Sequence, residues 1–347
     1  MGFFSSVDSY LGVDIGGSGI KVVELKKEGR GAKLVSYGFS ENSKIKPGLM
    51  ENTSYAAQLL KKVCKDAGIK NKAAVAALPT YAVFSSILNL SNVTEKDMAS
   101  AVHWEAKKVI PLPLEDMILD WKTIDEKDEK DKDKGNMKVL LTGAPKALVK
   151  RYVDIFKEAQ MNLISLETET FSLVRSLMGN DKSTVMIVEM GDGTTDITIA
   201  DNGIPSFSRS VDVGGGKITQ DISEKGSMES EIAEQFKYDL GISALGSGEV
   251  SIPKLIEDNI GPIVNEIKYA INLYQTKDNK KVEKIILSGG AALLVNFSGY
   301  LSKVLDIKVI LGDPWDKISY PDELRPLMDE IGPKLAVSAG LALRGIY

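Results

Sequence analysis

A chain of 347 residues exceeds what one small hydrophobic core supports and points to two domains or so. With 43% hydrophobic residues and a net charge of −5 it has an ordinary globular composition and no global basic excess, which argues against a non-specific nucleic-acid binder. A single cysteine and a single histidine exclude an intramolecular disulfide and a zinc constellation, so any metal must be held by oxygen and a reducing, cytosolic compartment is expected.

No apolar run approaches the ~20 residues that a membrane span needs, and no cleavable secretory pattern opens the chain. Phe3 and Phe4 offer at best a weak bilayer contact. The first ordered pattern is Tyr10-Leu11-Gly12-Val13-Asp14-Ile15-Gly16-Gly17-Ser18-Gly19-Ile20-Lys21-Val22-Val23, two strand-forming runs around a glycine turn. Glycines let backbone N–H groups converge on an anion, although one such turn alone is equally a plain hairpin. A strand over 33–39, an amphipathic helix over 54–67 with Cys64 as a core position, and an apolar strand over 73–78 ended by Pro79 complete an α/β beginning.

The character then changes. Thr94 and Asp97 have capping-box spacing, and Met98, Val102 and Val109 continue a helical face to Ile110, with His103 at the surface and Trp104 in the core. Pro111 and Pro113 end it. A strand over 117–124, a mixed-charge run over 125–134 read as a solvated hairpin tip, and a returning strand over 137–141 make residues 79–141 a helix-plus-hairpin unit of their own. Helix, strand and helix follow over 146–159, 163–166 and 169–178.

Residues 185–200 repeat the opening pattern. An apolar run ends on Glu189, passes through Gly191-Asp192-Gly193-Thr194-Thr195, and resumes with Ile197 and Ile199. Aligning the copies puts Asp14 on Glu189, Gly16 on Gly191 and Ser18 on Gly193, so the chain is internally duplicated. Two such hairpins facing each other across a cleft would grip a polyphosphate, with the flanking acids holding a hydrated cation. A strand over 204–211 leads to Gly214-Gly215-Gly216, which opens a helix whose bare N–H groups are a further anion site. It is not a Walker motif, because Ile218 follows Lys217. Helices over 230–240 and 253–275, a strand over 282–287 ending in Ser288-Gly289-Gly290-Ala291, a strand over 305–311 and a helix over 333–344 complete the chain.

The order of these elements, with Ala339-Gly340-Leu341-Ala342 in the closing helix, resembles the actin-like ATPase superfamily of actin, sugar kinases, Hsp70 and FtsA. Within it, Glu105-Ala106-Lys107-Lys108-Val109-Ile110-Pro111-Leu112-Pro113-Leu114-Glu115-Asp116 and the later Leu119-Asp120-Trp121 are similar to the insertion, called 1C, of the PilM family of type IV pilus assembly. The likeness covers nearly the whole chain. It implies an actin-like, duplicated ribonuclease H-like α/β fold with two lobes. Subdomain 1A is then 1–78 and 142–183, 1C is 79–141, 2A is 184–213 and 281–347, and 2B is 214–280.

The resemblance also implies roles. Asp14, Gly16, Gly17, Ser18 and Lys21 match the first phosphate loop, and Glu189, Gly191, Gly193, Thr194 and Thr195 the second. Gly214 and Gly215 match the glycines opening subdomain 2B, Glu234 and Lys237 a Glu-x-x-Lys pair near ribose and base, and Gly289 and Gly290 the adenosine motif. Asp14, Glu169 and Glu189 are the implied catalytic acids, with Asp14 and Glu189 near magnesium; the implied ligand is ATP with Mg²⁺. Two departures stand out: Thr170 follows Glu169 where relatives have proline, and Glu189 replaces the usual Asp. A carboxylate displaced by roughly an ångström can cost ~100-fold in a catalytic step, so binding is expected with slow or negligible hydrolysis.

The implied function is an ATP-binding scaffold of the pilus inner-membrane platform, recruited to the membrane's inner face by the N-terminal cytoplasmic peptide of PilN. Val83, Phe84, Ile87 and Leu88 supply one wall of the peptide groove. Other platform proteins are further implied partners, and self-association is left open. An FtsA-like division protein is the alternative, disfavoured because no amphipathic helix follows Arg344-Gly345-Ile346-Tyr347. A small-molecule kinase is the other, disfavoured because no substrate-pocket aspartate stands beside the loops.

Overall fold

The computed structural model describes residues 9–40, 48–91, 93–94, 96–124, 136–242 and 252–346. The charged tip expected over 125–134, Phe3, Phe4 and Glu95 lie outside them. The chain begins with β1 (Tyr10–Gly16), β2 (Gly19–Glu28), β3 (Gly31–Phe39), α1 (Thr53–Asp66) and β4 (Ala73–Leu78). It continues with β5 (Phe84–Ser91), α2 (Met98–Val109), β6 (Met117–Ile124), β7 (Asn136–Pro145), α3 (Lys146–Glu158), β8 (Asn162–Thr168) and α4 (Glu169–Leu177). The second half holds β9 (Val185–Met190), β10 (Thr195–Asp201), β11 (Ile204–Val211), α5 (Gly215–Gly226), α6 (Ser230–Leu240), α7 (Ile252–Asp278) and β12 (Lys284–Ser288). It closes with α8 (Phe297–Leu305), β13 (Lys308–Leu311), β14 (Ile318–Ser319) and α9 (Arg325–Leu343).

The duplication read from the glycine turns is a duplication of topology. One sheet has the order β14-β3-β2-β1-β4-β8 and the other β11-β10-β9-β12-β13, so apart from β14 each is a hairpin, a third antiparallel strand and two parallel strands beyond the first. Asp14 pairs with Lys21 across one hairpin, and Glu189 pairs with Asp196 across the other at the same sequence separation. The strands are buried where the sheets face helices, and Val13, Val22, Ile187 and Ile197 are all fully buried.

The two sheets share a helical layer. Val75 and Ala77 of the first sheet and Val185, Ile187 and Ile286 of the second pack on Leu173 and Val174 of α4 and on Ala336, Val337 and Leu341 of α9. Close approach makes this possible. A Cβ on Gly12 would lie 2.0 Å from the Ser338 carbonyl oxygen, and one on Gly340 would lie 2.1 Å from that of Ser172.

The insertion is a sheet of order β5-β7-β6 covered by α2 around Leu88, Leu90, Val102, Ala106, Ile110, Met117, Val139 and Leu141. Four expectations need correction. β5 is a strand that the sequence pattern hid, because Ile87 interrupts its alternation and its partner β7 lies about fifty residues away. Helix α2 starts at Met98: Thr94 Oγ1 donates to the Asp97 carboxylate at 2.7 Å, but Asp97 makes no capping bond of its own. Trp104 is 62% exposed, opposite Val102 and Ala106 on α2. Helix α9 begins before Pro333 and runs through it.

The Gly12 contact is to rigid backbone. Gly12→Ala is therefore expected to lower stability by roughly 1–3 kcal/mol or more through overpacking. Gly299→Ala, at an α8 position whose Cβ would meet nothing within 4 Å, is expected to raise it by about 0.8–1 kcal/mol. Urea unfolding midpoints of the two variants check the contrast.

Candidate functional site

The two glycine hairpins meet. A Cβ on Gly17 would lie 3.7 Å from Asp192 Oδ2 and 3.7 Å from the Gly193 amide nitrogen, so the turns face each other across the gap between the sheets. Gly17 and Gly193 are exposed and Gly16, Ser18, Gly191 and Thr194 half-buried, which leaves the cradle open to a ligand. Thr195 is turned inward: its hydroxyl donates to the Val213 carbonyl at 2.7 Å.

Beneath the turns Asp14, Glu189 and Glu169 gather around one ammonium, Lys21, and Asp196 lies beside Glu189 and Glu169. Lys21 Nζ donates to Asp14 Oδ2 at 2.9 Å, with Asp14 side-chain exposure of only 6%. Burial alone would pull the Lys21 ammonium down, yet Asp14, Glu189 and Glu169 together hold it above its ordinary range. Burial, followed by the Asp196 charge, pushes Glu189 up to about 8 against the opposing pull of Lys21. Asp196 is raised to about 6 by burial, although the Ser210 hydroxyl donates to it. Glu169 is held well above the carboxylate range by burial and then by Asp14, Asp196 and Glu189, while the Thr80 amide opposes the shift.

The cluster therefore carries more negative charge than its lysine neutralises. That surplus suits a cation. Among the described residues, however, no three histidine, cysteine, aspartate or glutamate side chains form a group able to hold a metal alone. A magnesium ion, which usually takes one or two carboxylates and completes its shell with water and substrate phosphates, fits such a site when it arrives with a polyphosphate.

Behind the second turn the glycine triplet has a structural task. Gly215 N–H donates to the Gly191 carbonyl at 2.8 Å and Gly216 N–H to that of Asp192 at 2.9 Å. Those donors shape the loop and are not presented to an anion. Lys237, 1% exposed, is likewise turned inward: its ammonium donates to the Gly215 carbonyl at 3.1 Å, to Thr219 Oγ1 at 2.8 Å and to Glu234 Oε2 at 2.6 Å. Burial pulls Lys237 down despite Glu234. At the Ser288-Gly289-Gly290 turn, Gly289 has φ +84°, and a Cβ there would lie 2.7 Å from Glu189 Oε1. Glycine thus makes room for the longer acid. Gly290 beside it faces the Tyr238 hydroxyl, 3.6 Å from the position of a Cβ.

A family model described as type IV pilus assembly protein PilM matches residues 12–346. The chain belongs to the PilM family. Its structure is similar to that of a PilM-PilN type IV pilus biogenesis complex, at TM-score 0.84 and 22% identity, covering 97% of this chain and 98% of that one. It also resembles MreB5 of Spiroplasma citri bound to ADP, at TM-score 0.53 and 14% identity, covering 96% and 95% of the two chains. Cell division protein FtsA of Borreliella burgdorferi is 26% identical over 46% of this chain and 42% of that relative, so the match spans less than half of the relative's length. The fold is thus actin-like.

Several residues of this PilM-family cleft were not singled out from sequence. Asp196 is the counterpart of Lys21 in the second copy, and extending the alignment of the hairpins past their turns would have found it. Asp192 lies across the gap from Gly17 and is raised by burial. Tyr238 and Lys334 flank Gly290, with Lys334 Nζ 6.0 Å from the Tyr238 ring; no motif marks them, because three separate segments bring them together.

The four residues expected at a partner groove separate. Leu88, 6% exposed, belongs to the core of the insertion and is unavailable for docking, and Phe84 packs at that core's edge. Val83 packs against the core of the first sheet. Ile87 is half-buried, on the opposite face of β5 from Leu88. Among the described residues no helix is long and apolar enough to cross a membrane.

The raised carboxyls make ligand-free stability depend on pH. Groups whose folded pKa is raised contribute stability that is present below the ordinary values of 3.8 for Asp196 and 4.5 for Glu189, and lost as pH rises through about 6 and about 8. The melting temperature without ligand is accordingly expected to fall from about pH 5 to about pH 8.5. Glu189→Gln should flatten the upper half of that decline in a thermal-shift series.

Proposed function

We propose that this PilM-family protein binds ATP with Mg²⁺ between its two lobes and acts as a scaffold of the type IV pilus inner-membrane platform, hydrolysing ATP slowly or not at all. The observation that carries the reading is the meeting of the Gly17 turn with Asp192 and Gly193 above a buried, under-neutralised acid cluster. Backbone donors in the turns hold the phosphates, Lys21 orients Asp14, and the cation arriving with the nucleotide relieves the repulsion among Asp14, Glu189, Asp196 and Glu169. Gly290, Tyr238 and Lys334 line the end of the cleft suited to the base. Magnesium would supply charge neutralisation at the phosphates; Asp14 and Glu189 are its nearest protein partners in this reading.

Slow chemistry follows from Glu189. Its extra methylene relative to Asp displaces the carboxyl, which lies against the Gly289 turn, so it is poorly placed to direct a water. Calorimetry with Mg-ATP should register binding, and Asp14→Ala combined with Gly290→Asp should abolish it; an unchanged affinity would reject this cleft. Phosphate release should stay below about 1 s⁻¹, the low end of ordinary turnover, and Glu189→Asp should raise it. A wild-type rate above that bound overturns the scaffold reading.

Recruitment is the second half of the proposal. The similar PilM-PilN complex supports a PilN segment as the partner. An extended apolar peptide seated beside the insertion, with Val83, Phe84 and Ile87 nearby, would gain register from backbone pairing and affinity from a few aliphatic side chains. This places the protein at the cytoplasmic face of the inner membrane through its partner. Fluorescence anisotropy with a labelled PilN N-terminal peptide is expected to lose about tenfold in affinity on Ile87→Asp, about 1.4 kcal/mol. Affinity preserved in both that variant and one lacking 79–141 rejects the groove.

A further inference from the structure

Helix α6 turns Ala233 and Lys237 inward, and both are buried in the second lobe. Its outer side is divided in two along its length. Ile232, Phe236 and Leu240 recur at every fourth residue and are 47%, 39% and 37% exposed. The residue before each is polar and exposed: Glu231, Gln235 and Asp239. Residues four apart lie one above the next on a helix, so these six side chains form two parallel rows, one apolar and one acidic. The apolar row continues beyond the helix, because the Ile242 amide donates to the Val295 carbonyl at 2.9 Å and brings Val295, 45% exposed, up to its end.

Folding of this chain does not account for either row. Ala233 belongs to the core of the lobe and the three apolar residues do not, so they leave in water surface whose burial would be favourable. Asp239 lies in the last turn of α6, where the helix dipole disfavours an acid. The one basic residue of the helix, Lys237, is buried, so every charge that α6 exposes is negative. Such a surface repels an anionic membrane. Among the described residues no helix exposes three large apolar side chains beside a basic row, so a second copy of the chain offers no matching helix.

We propose that the outer side of α6 is a docking surface for a cationic amphipathic helix of a partner protein, one that carries bulky aliphatic residues along one row and Lys or Arg along the next. Rows of side chains four apart pack into the grooves of a second helix, which seats the partner's aliphatic row against Ile232, Phe236, Leu240 and Val295. The adjoining cationic row then meets Glu231 and Asp239. Apolar burial supplies the affinity, and the acids steer the encounter and reject partners of the wrong charge. None of these side chains belongs to the nucleotide cleft or to the insertion, so the surface stands independently of the sites proposed above.

The test uses the full chain and two labelled synthetic helices of about four turns with one leucine face in common, the remaining positions being Lys in one and Glu in the other. Fluorescence anisotropy of the wild type, which requires no variant to fold, is expected to show the Lys helix bound at least about tenfold more tightly than the Glu helix. Phe236→Ser, which leaves the charge unchanged, should weaken the Lys helix by about tenfold. Glu231→Lys with Asp239→Lys should reverse the preference. Asp322→Lys with Glu323→Lys makes the same change of net charge at two exposed residues elsewhere and should not. Melting temperatures confirm that each variant is folded. Equal affinity of the wild type for both helices, an unchanged affinity in folded Phe236→Ser, or the same reversal in both double variants overturns the proposal. So does a wild-type dimer in sedimentation, or binding to phosphatidylglycerol vesicles, that Phe236→Ser abolishes, since either assigns the apolar row to a different occupant.

Discussion

Crowding Asp14, Glu169 and Glu189 around Lys21, with Asp196 beside them, is the constraint on which the rest of this molecule turns. An isolated buried carboxylate is so unfavourable that the group takes up a proton instead, and the raised Glu189, Asp196 and Glu169 are that response. The ligand-free cleft is therefore held together with borrowed protons. A cation would be an alternative neutraliser for the acids of both hairpins.

The acids come together because two copies of one topology are pressed onto a common pair of helices. Helices α4 and α9 touch both sheets, and the Gly12 and Gly340 contacts bring backbone to backbone at those crossings. The same layer places the Pro333 carbonyl where it accepts the Gly289 amide at 2.9 Å, so the Gly289 turn is anchored on the closing helix. Glu167 and Arg175 add a second lock: Arg175 donates to Glu167 and, at 2.7 Å, to the Gly340 carbonyl. The hairpins consequently face each other on a shared, closely packed base.

The insertion lies beside both lobes. It is anchored on the first lobe by β4 and α3, touched by β11 of the second, and has its own core around Leu88 and Val139. Its first junction is hydrogen-bonded to the cleft, where the Thr80 amide donates to Glu169.

Much of this was written in local sequence. The glycine turns at Gly16-Gly17 and Gly191–Gly193, the apolar strands around them and the pattern repeated between them specify hairpins and a duplication, because turn chemistry and strand alternation are local properties. Strand β4, strand β11 and helix α6 fall where residue periodicity puts them, and Cys64 is the buried core position expected, its thiol pushed up to about 11 by burial. Only the tertiary structure decided the rest. Strand β5 exists through pairing with the distant β7, α9 continues past Pro333 because both sheets pack on it, and Leu88 serves a core while Ile87 does not. Lys237 and the Gly215 amide turn inward because acceptors from other segments meet them there. The charge surplus at the cleft, and the reach of Thr80 into it, arise from residues far apart along the chain; long-range electrostatics and packing set them, and no stretch of sequence carries either alone.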